Sequence, residues 1–403
     1  MPEFLARPDP VASSAGGSAA LPSPHGLPRV SVRRAGLPRT LLCLSHLRWD
    51  FVYQRPQHLL SRIAKHTEVL FFEEPRRTDQ AEAWLDIRTT EDRICVLTPC
   101  LPAGLTQAED ERVQRVLLDA YLAGINAWDL GLWYYSPMML AFTEHLDARL
   151  VVYDCMDELS AFKNAPPQLA EREARLMRQA DVVFTGGQSL YASKRRFHHN
   201  VHAYPSSVDV RHFEKACKPL PEPLDQARIP GPRLGFYGVI DERFDTGLIG
   251  SLAVARPDWQ FIMLGPVAKI RPADLPQADN IHYLGQKSYE DLPRYLAGWD
   301  VALMPFAINE ATRFISPTKT PEYLAAGRPV VSTPIADVVS RYGDSGVVRI
   351  AGNASAFVRA IEAALVDGAD RAAFIGRVKA VLAGSSWDNT CADMLAEVEK
   401  CAS

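Results

Sequence analysis

Between Arg39 and Ser45 the chain reads RTLLCLS, an apolar run with no polar alternation; a polar loop and an amphipathic segment opening on QRPQHLL separate it from the next run, EVLFF. Uninterrupted apolar runs of this length describe strands buried on both faces, and segments of 3.6-residue period between them describe crossover helices. The rhythm continues through RICVL, a helix over AEDERVQRVLLDAYLAGI, LGLWYY, ARLVVYD, a helix over PQLAEREARLMRQA, and DVVFTG. Such alternation predicts a doubly wound parallel sheet. After Pro205 it stops, and KACKPLPEPLDQARIPGP, residues 215–232, is rich in proline and poor in apolar periodicity, as a linker is. A second series follows: RLGFYG, WQFIMLG, NIHYLG, a helix over SYEDLPRYLAG, DVALMPF, SPTKTPEYLAAGRPVVSTPI, GVVRI and a helix over ASAFVRAIEAALVDG.

The expected class is therefore α/β, with two Rossmann-like doubly wound parallel-sheet domains facing across a cleft. Residues 39–214 form the first domain, 215–232 the linker, 233–383 the second domain, and 384–403 a closing helix. Residues 1–38, dominated by Pro, Ser, Gly and Ala, lack the apolar spacing to offset their ordering entropy and read as a disordered leader. A length of 403 residues agrees with two cores. Ligands of open parallel sheets sit at the carboxyl ends of strands, so the loops after each run are where chemistry is expected.

Charge alters this picture little. The formal net charge is −4, with 23 Lys+Arg against 24 Asp+Glu up to Pro205 and 21 against 24 beyond it, so no nucleic-acid footprint is visible. The seven cysteines, at 43, 95, 100, 155, 217, 391 and 401, have neither metal-ligand spacing nor a disulfide-scaffold pattern and read as reduced thiols of a cytoplasmic protein. No run approaches the ~20 apolar residues of a membrane helix, although peripheral contact with the inner face of a membrane is compatible with this composition.

Candidate chemistry concentrates in three loops. In SPTKTPEYLAAGRPVVSTPI, either Ser316-Pro317 or Thr320-Pro321 can cap a short helix that Gly327 ends. Thr318 and Glu322 then share a face, with Lys319 beside them. A helix start and a lysine suit phosphate, and a glutamate suits vicinal hydroxyls; the same pair would equally serve as a solvated helix-start pair. After the first apolar strand, SHLRWDFVYQRP carries His46, a candidate base with a structural role as its alternative. After ARLVVYD, Asp154 and Asp157 in YDCMDE are candidate carboxylate bases, or loop caps. There is no G-x-G-x-x-G after a strand, no Walker lysine, no G-x-S-x-G and no zinc spacing. No metal is expected.

SPTKTPEYLAAGRPVVSTPI resembles the donor-site helix of GT-B glycosyltransferases, in which the glutamate holds the ribose of a nucleotide sugar; Glu322, Tyr323, Leu324, Ala325, Gly327, Pro329 and Val330 carry the likeness. SHLRWDFVYQRPQHLLSRIA, VVYDCMDELSAF, ADVVFTGGQSLY and SWDNTCADMLAEVE resemble further segments of bacterial family-one and family-four-like members, the last being a helix that returns to the first domain. The resemblance implies a metal-independent enzyme, its donor a nucleotide-diphosphate sugar, UDP-linked, and its acceptor a carbohydrate or lipid-linked hydroxyl, in polysaccharide or cell-envelope glycan synthesis. It implies Gly238, Arg243, Thr318, Lys319 and Glu322 as donor ligands. Two departures stand out. The family's first glutamate is Phe314 here, which leaves Asn309 or Glu310 to reach the sugar, and its G-R…K loop is GFYGVIDERFD, with Val239 after Gly238 and Arg243 near the lysine position. A nucleotide-sugar epimerase and an inactive binding protein of the same fold are the alternative functions.

Overall fold

The computed structural model describes residues 36–402. The leader expected at 1–38 lies, but for its last three residues, outside the described residues. In the first half, β1 (Thr40–Leu44), β2 (Glu68–Phe72), β3 (Arg76–Thr78), β4 (Trp84–Thr89), β5 (Cys95–Pro102), β6 (Leu130–Tyr134), β7 (Leu150–Cys155), β8 (Val182–Thr185) and β9 (Val201–Ala203) form one sheet. Its order is β3-β5-β2-β1-β6-β7-β8-β9, parallel throughout except that β4 pairs antiparallel to β5. The sequence rhythm missed β3, β4 and β9, which lie at the sheet edges with mixed exposure and so lack the apolar run that marks a central strand.

The central strands are buried on both faces because successive side chains alternate between two cores. Leu42, Leu44, Leu70 and Phe72 enter one apolar cluster, while Leu41, Cys43, Val69 and Phe71 enter the other. The second cluster is completed from the far end of the chain. Trp387, Cys391, Met394 and Val398 of the helix Trp387–Ala402 lie in it, and Arg62 on the helix Arg55–Ile63 binds Asp388 at 2.7 Å.

The second sheet comprises β10 (Arg233–Tyr237), β11 (Gln260–Leu264), β12 (Ile281–Gly285), β13 (Val301–Met304), β14 (Val330–Ser332) and β15 (Val348–Ile350), all parallel, in the order β12-β11-β10-β13-β14-β15. One continuous apolar cluster surrounds it. The proline-dense stretch between the sheets is packed rather than free. It carries the short helix Leu224–Ala227, and the fully buried Gln226 accepts a hydrogen bond from Trp299 Nε1 at 2.9 Å and donates one to the Tyr295 carbonyl. Local proline content hid these contacts, since Gln226 meets partners some 70 residues away.

One loop and the helix Ala336–Tyr342 of the second half reach the first. Phe314, on the loop after β13, packs against the first domain's core. Asp337 accepts a hydrogen bond from the Ser189 amide at 3.0 Å, and a Cβ on Gly187 would stand 1.8 Å from its Oδ2, so only glycine admits this approach. Arg341 donates to the Ser206 carbonyl and to Ser385 Oγ, joining the two segments where the chain crosses between sheets.

Candidate active site

The helix expected in the quoted motif runs Lys319–Ala325 and ends at Gly327, whose φ of +70° is the left-handed turn that glycine permits. Neither Ser-Pro nor Thr-Pro supplies its cap: the helix follows Thr318, which has helical backbone angles and makes no side-chain cap bond. Thr320 through Ala325 are buried, so the helix is held by packing. The Tyr323 hydroxyl receives the Tyr237 amide at 2.9 Å, fixing the helix against the carboxyl end of β10. Tyr237 in turn donates its hydroxyl to Glu322 Oε2.

Glu322 and Lys319 open into a cavity of about 270 Å³ that is also lined by Gly238, Thr318 and, from the first domain, Phe51 and Tyr53. Gly238 has a φ of +142°, and a Cβ there would lie 2.3 Å from Lys319 Cε. Its missing side chain is what lets the lysine stem lie over the end of β10. Burial raises Glu322 from its ordinary 4.5 up to about 7, against the pull of Lys319 and the Tyr237 hydrogen bond. Burial also lowers Lys319, which the Glu322 charge opposes. Domain contact at the rim is direct: Gln286 donates to the Phe51 carbonyl at 2.6 Å, and the Tyr53 and Tyr289 rings stack with centroids 4.5 Å apart.

Asp157 lies on the loop after β7. Burial raises its carboxyl above the ordinary value, while the charges of Arg243, Lys319 and Lys269 pull it down. It is thus a partly shielded carboxylate that feels the positive charges beside the cavity. Arg243 is held in a fork by Asp241, with Nε–Oδ1 at 3.0 Å and Nη2–Oδ2 at 2.7 Å, and its guanidinium lies 5.4 Å from the centroid of the Phe162 ring. The pair lies at the domain interface, where Asp241 is 3% exposed.

Asp154 requires correction as a candidate base. It is 0% exposed, and both its oxygens accept from Arg55 Nε, at 3.1 and 3.0 Å, so its lone pairs serve a buried ion pair. Arg55 also donates to the Tyr204 carbonyl at 2.8 Å, which makes the pair a brace between the helix Arg55–Ile63, β7 and the crossing segment. His46 remains at the interface: burial, with the Lys269 charge, brings it down to about 4, so it is a neutral imidazole whose buried Nδ1 has no partner. Asn309 and Glu310 do not take over a sugar-facing role. Asn309 accepts from the Thr312 amide at 3.1 Å as the cap of a 3-10 turn, and Glu310 is exposed and paired with Arg313.

Sequence reasoning missed Tyr237, Tyr289, Phe162 and Lys269. Tyr237 and Tyr289 sat within apolar or helical patterns that packing explains, and no local spacing ties Phe162 to Arg243, 81 positions away. The one available signal was position, since Lys269 follows the end of β11. Among the described residues no group of three or more His, Cys, Asp or Glu could hold a metal ion, and no helix is long and apolar enough to cross a membrane.

Residues 247–367 match the model of the family described as Glycosyl transferases group 1. A putative teichuronic acid biosynthesis glycosyltransferase, TuaH of Bacillus subtilis (strain 168), is 27% identical over 227 residues, which are 52% of this chain and span only 57% of that relative's length. Solved structures resemble the chain over nearly its whole length. An E. coli trehalose-6-phosphate structure with bound UDP-2-fluoro glucose superimposes with a TM-score of 0.65 at 13% identity, covering 90% of this chain and 99% of that one. The UDP-forming trehalose-phosphate synthase of Burkholderia xenovorans gives 0.65 at 15%, covering 91% and 100%. The sucrose-phosphate synthase of Thermosynechococcus elongatus gives 0.61 at 15%, covering 88% and 97%. The chain thus has the two-sheet GT-B fold of these synthases and, over residues 247–367, the sequence pattern of Glycosyl transferases group 1.

Proposed function

We propose that the protein is a metal-independent glycosyltransferase that moves a sugar from a nucleotide-diphosphate sugar, UDP-linked, to a hydroxyl of a carbohydrate or lipid-linked acceptor in polysaccharide or cell-envelope glycan synthesis. The observation that carries this reading is the joint opening of Lys319 and Glu322 into one interdomain cavity over the bare backbone of Gly238. A carboxylate suits the two hydroxyls of a ribose, and a half-buried ammonium suits a phosphate. Arg243, prepositioned by Asp241, adds a second cation for the charge that develops on the leaving diphosphate. Asp157, shielded and with its proton affinity raised by burial, accepts the proton of the attacking hydroxyl. The rings of Tyr53 and Tyr289 and the Gln286 bond close the rim, which keeps water from competing with the acceptor. Cytoplasmic placement, with contact at the inner membrane face when the acceptor is lipid-linked, belongs to the same reading.

Isothermal titration calorimetry with UDP, GDP and their glucose and mannose conjugates is the direct test. Binding of one nucleotide sugar, weakened at least tenfold by Glu322→Ala and by Lys319→Ala, is the expected result. No binding, or binding indifferent to both substitutions, refutes the proposal. Incubation with donor alone separates transfer from epimerisation, since an epimerase alters the sugar with no acceptor present.

A further inference from the structure

Further buried polar atoms at the interface, on Glu242 and His46, lack hydrogen-bond partners. Both carboxylate oxygens of Glu242 are shielded from solvent and accept no hydrogen bond, and the nearest cation recorded for them is Lys269, 3.7 Å from Oε1. From the first domain, His46 brings a buried Nδ1 that is likewise unpartnered and feels the Lys269 charge. The Lys269 ammonium lies 5.0 Å from the Phe162 ring, which the first domain also supplies. The backbone around these groups is fixed. The Ala307 amide donates to the Arg243 carbonyl at 2.8 Å, the Ala268 amide donates to the Ile240 carbonyl at 3.0 Å, and Lys269 holds a φ of +60°, a conformation uncommon for a lysine.

Buried oxygens without donors are rare in native proteins and call for a ligand or water that brings donors. The chemistry of the set narrows that ligand. A second phosphate would be repelled by Glu242, and a metal ion by Lys269. A neutral ring bearing vicinal hydroxyls satisfies all three groups, because a hydroxyl donates to the carboxylate, accepts from the ammonium and can do either with the imidazole. The Phe162 ring meets both Lys269 and Arg243, 5.0 and 5.4 Å from its centroid, so this set lies beside the cation assigned to the leaving diphosphate.

We propose that Glu242, Lys269 and His46 form the subsite that binds the hydroxyls of the transferred sugar and favours a neutral hexose over a hexuronate. The inference rests on the glycosyl-transfer reading above and supplies a carboxylate that Asn309 and Glu310 do not.

The test compares wild type, Glu242→Ala and Glu242→Gln by isothermal titration with UDP, GDP, UDP-glucose, GDP-mannose and UDP-glucuronate. The wild type should bind its preferred nucleotide sugar more tightly than the bare nucleotide. Glu242→Ala should erase about tenfold of that advantage, the worth of a hydrogen bond to a charged group, and narrow the discrimination against the glucuronate. Affinity for the bare nucleotide should stay within about twofold, which also reports that the variant is folded; the near-isosteric Glu242→Gln should fall between. A sugar advantage that is absent in wild type, or equal in all three proteins, overturns the assignment, including the case in which the variants raise only an acceptor KM. A wild type that binds no nucleotide at all refutes the underlying reading and the assignment together.

Discussion

Glu322→Gln separates the cost of keeping a charge in the cavity from its use there. In the folded chain the carboxyl is 4% exposed and raised from 4.5 up to about 7. Between those values the folded state holds a proton that the unfolded chain has released, so stability falls as pH rises, by about 1.4 kcal/mol per pH unit. From pH 4.5 to 7 the loss sums to roughly 3 kcal/mol, and above pH 7 it stays constant. Glutamine keeps an acceptor for the Tyr237 hydroxyl and carries no such loss. It does remove the charge that most favours the ammonium of Lys319, so the comparison rests on the pH slope and not on stability at one pH. Urea unfolding of both proteins from pH 4.5 to 8, each supplemented with fixed salt, is the assay. The stability of Glu322→Gln relative to wild type should climb by roughly 2–3 kcal/mol over that range, while nucleotide affinity drops. Parallel pH profiles would show that the carboxylate is solvated and would refute the buried-site reasoning.

Further outcomes follow from the same geometry. Asp154→Asn strands the Arg55 guanidinium in the interior and should cost roughly 3–5 kcal/mol in urea unfolding; a cost below 1 kcal/mol would mean the pair is open to water. Asp157→Asn should leave nucleotide Kd within a few-fold and lower kcat by about 10²–10⁴, and full transfer activity in this variant would remove Asp157 from the reaction. Gly238→Ala places a Cβ against the Lys319 stem at a φ of +142°, so nucleotide affinity should fall at least tenfold, as read by calorimetry. With His46 held down to about 4, the unfolded chain takes up a proton on it below pH 6.5 that the folded chain does not, so stability should decline as pH falls from 6.5 towards 4. In His46→Gln that component should vanish from the wild-type profile.

The sequence carried the second domain's site further than the first's. Lys319, Glu322 and Gly238 meet in one cavity because a short helix and the end of the neighbouring central strand bring them there, and both elements leave local signatures: an apolar run ending in glycine, and an Ala-Ala-Gly helix end. YDCMDE, by contrast, offered two aspartates three positions apart at a strand end with nothing local to separate them. Asp154 is the last polar side chain within β7 and meets Arg55, 99 positions earlier, whereas Asp157 has left the strand and turns to the cations of the other domain. Arg243 is a similar case, because its fork with Asp241 is local in sequence while its position over Phe162 is not.

What the sequence determined by itself is the class of fold, the two sheets and the strand ends where polar loops gather, because these follow from which residues must leave water and with what period. Which polar groups are paired and which are left open was decided only by tertiary structure. That choice depends on distances between loops of two domains, and the free energy of a buried charge is set by the few partners within hydrogen-bond reach, not by its neighbours along the chain.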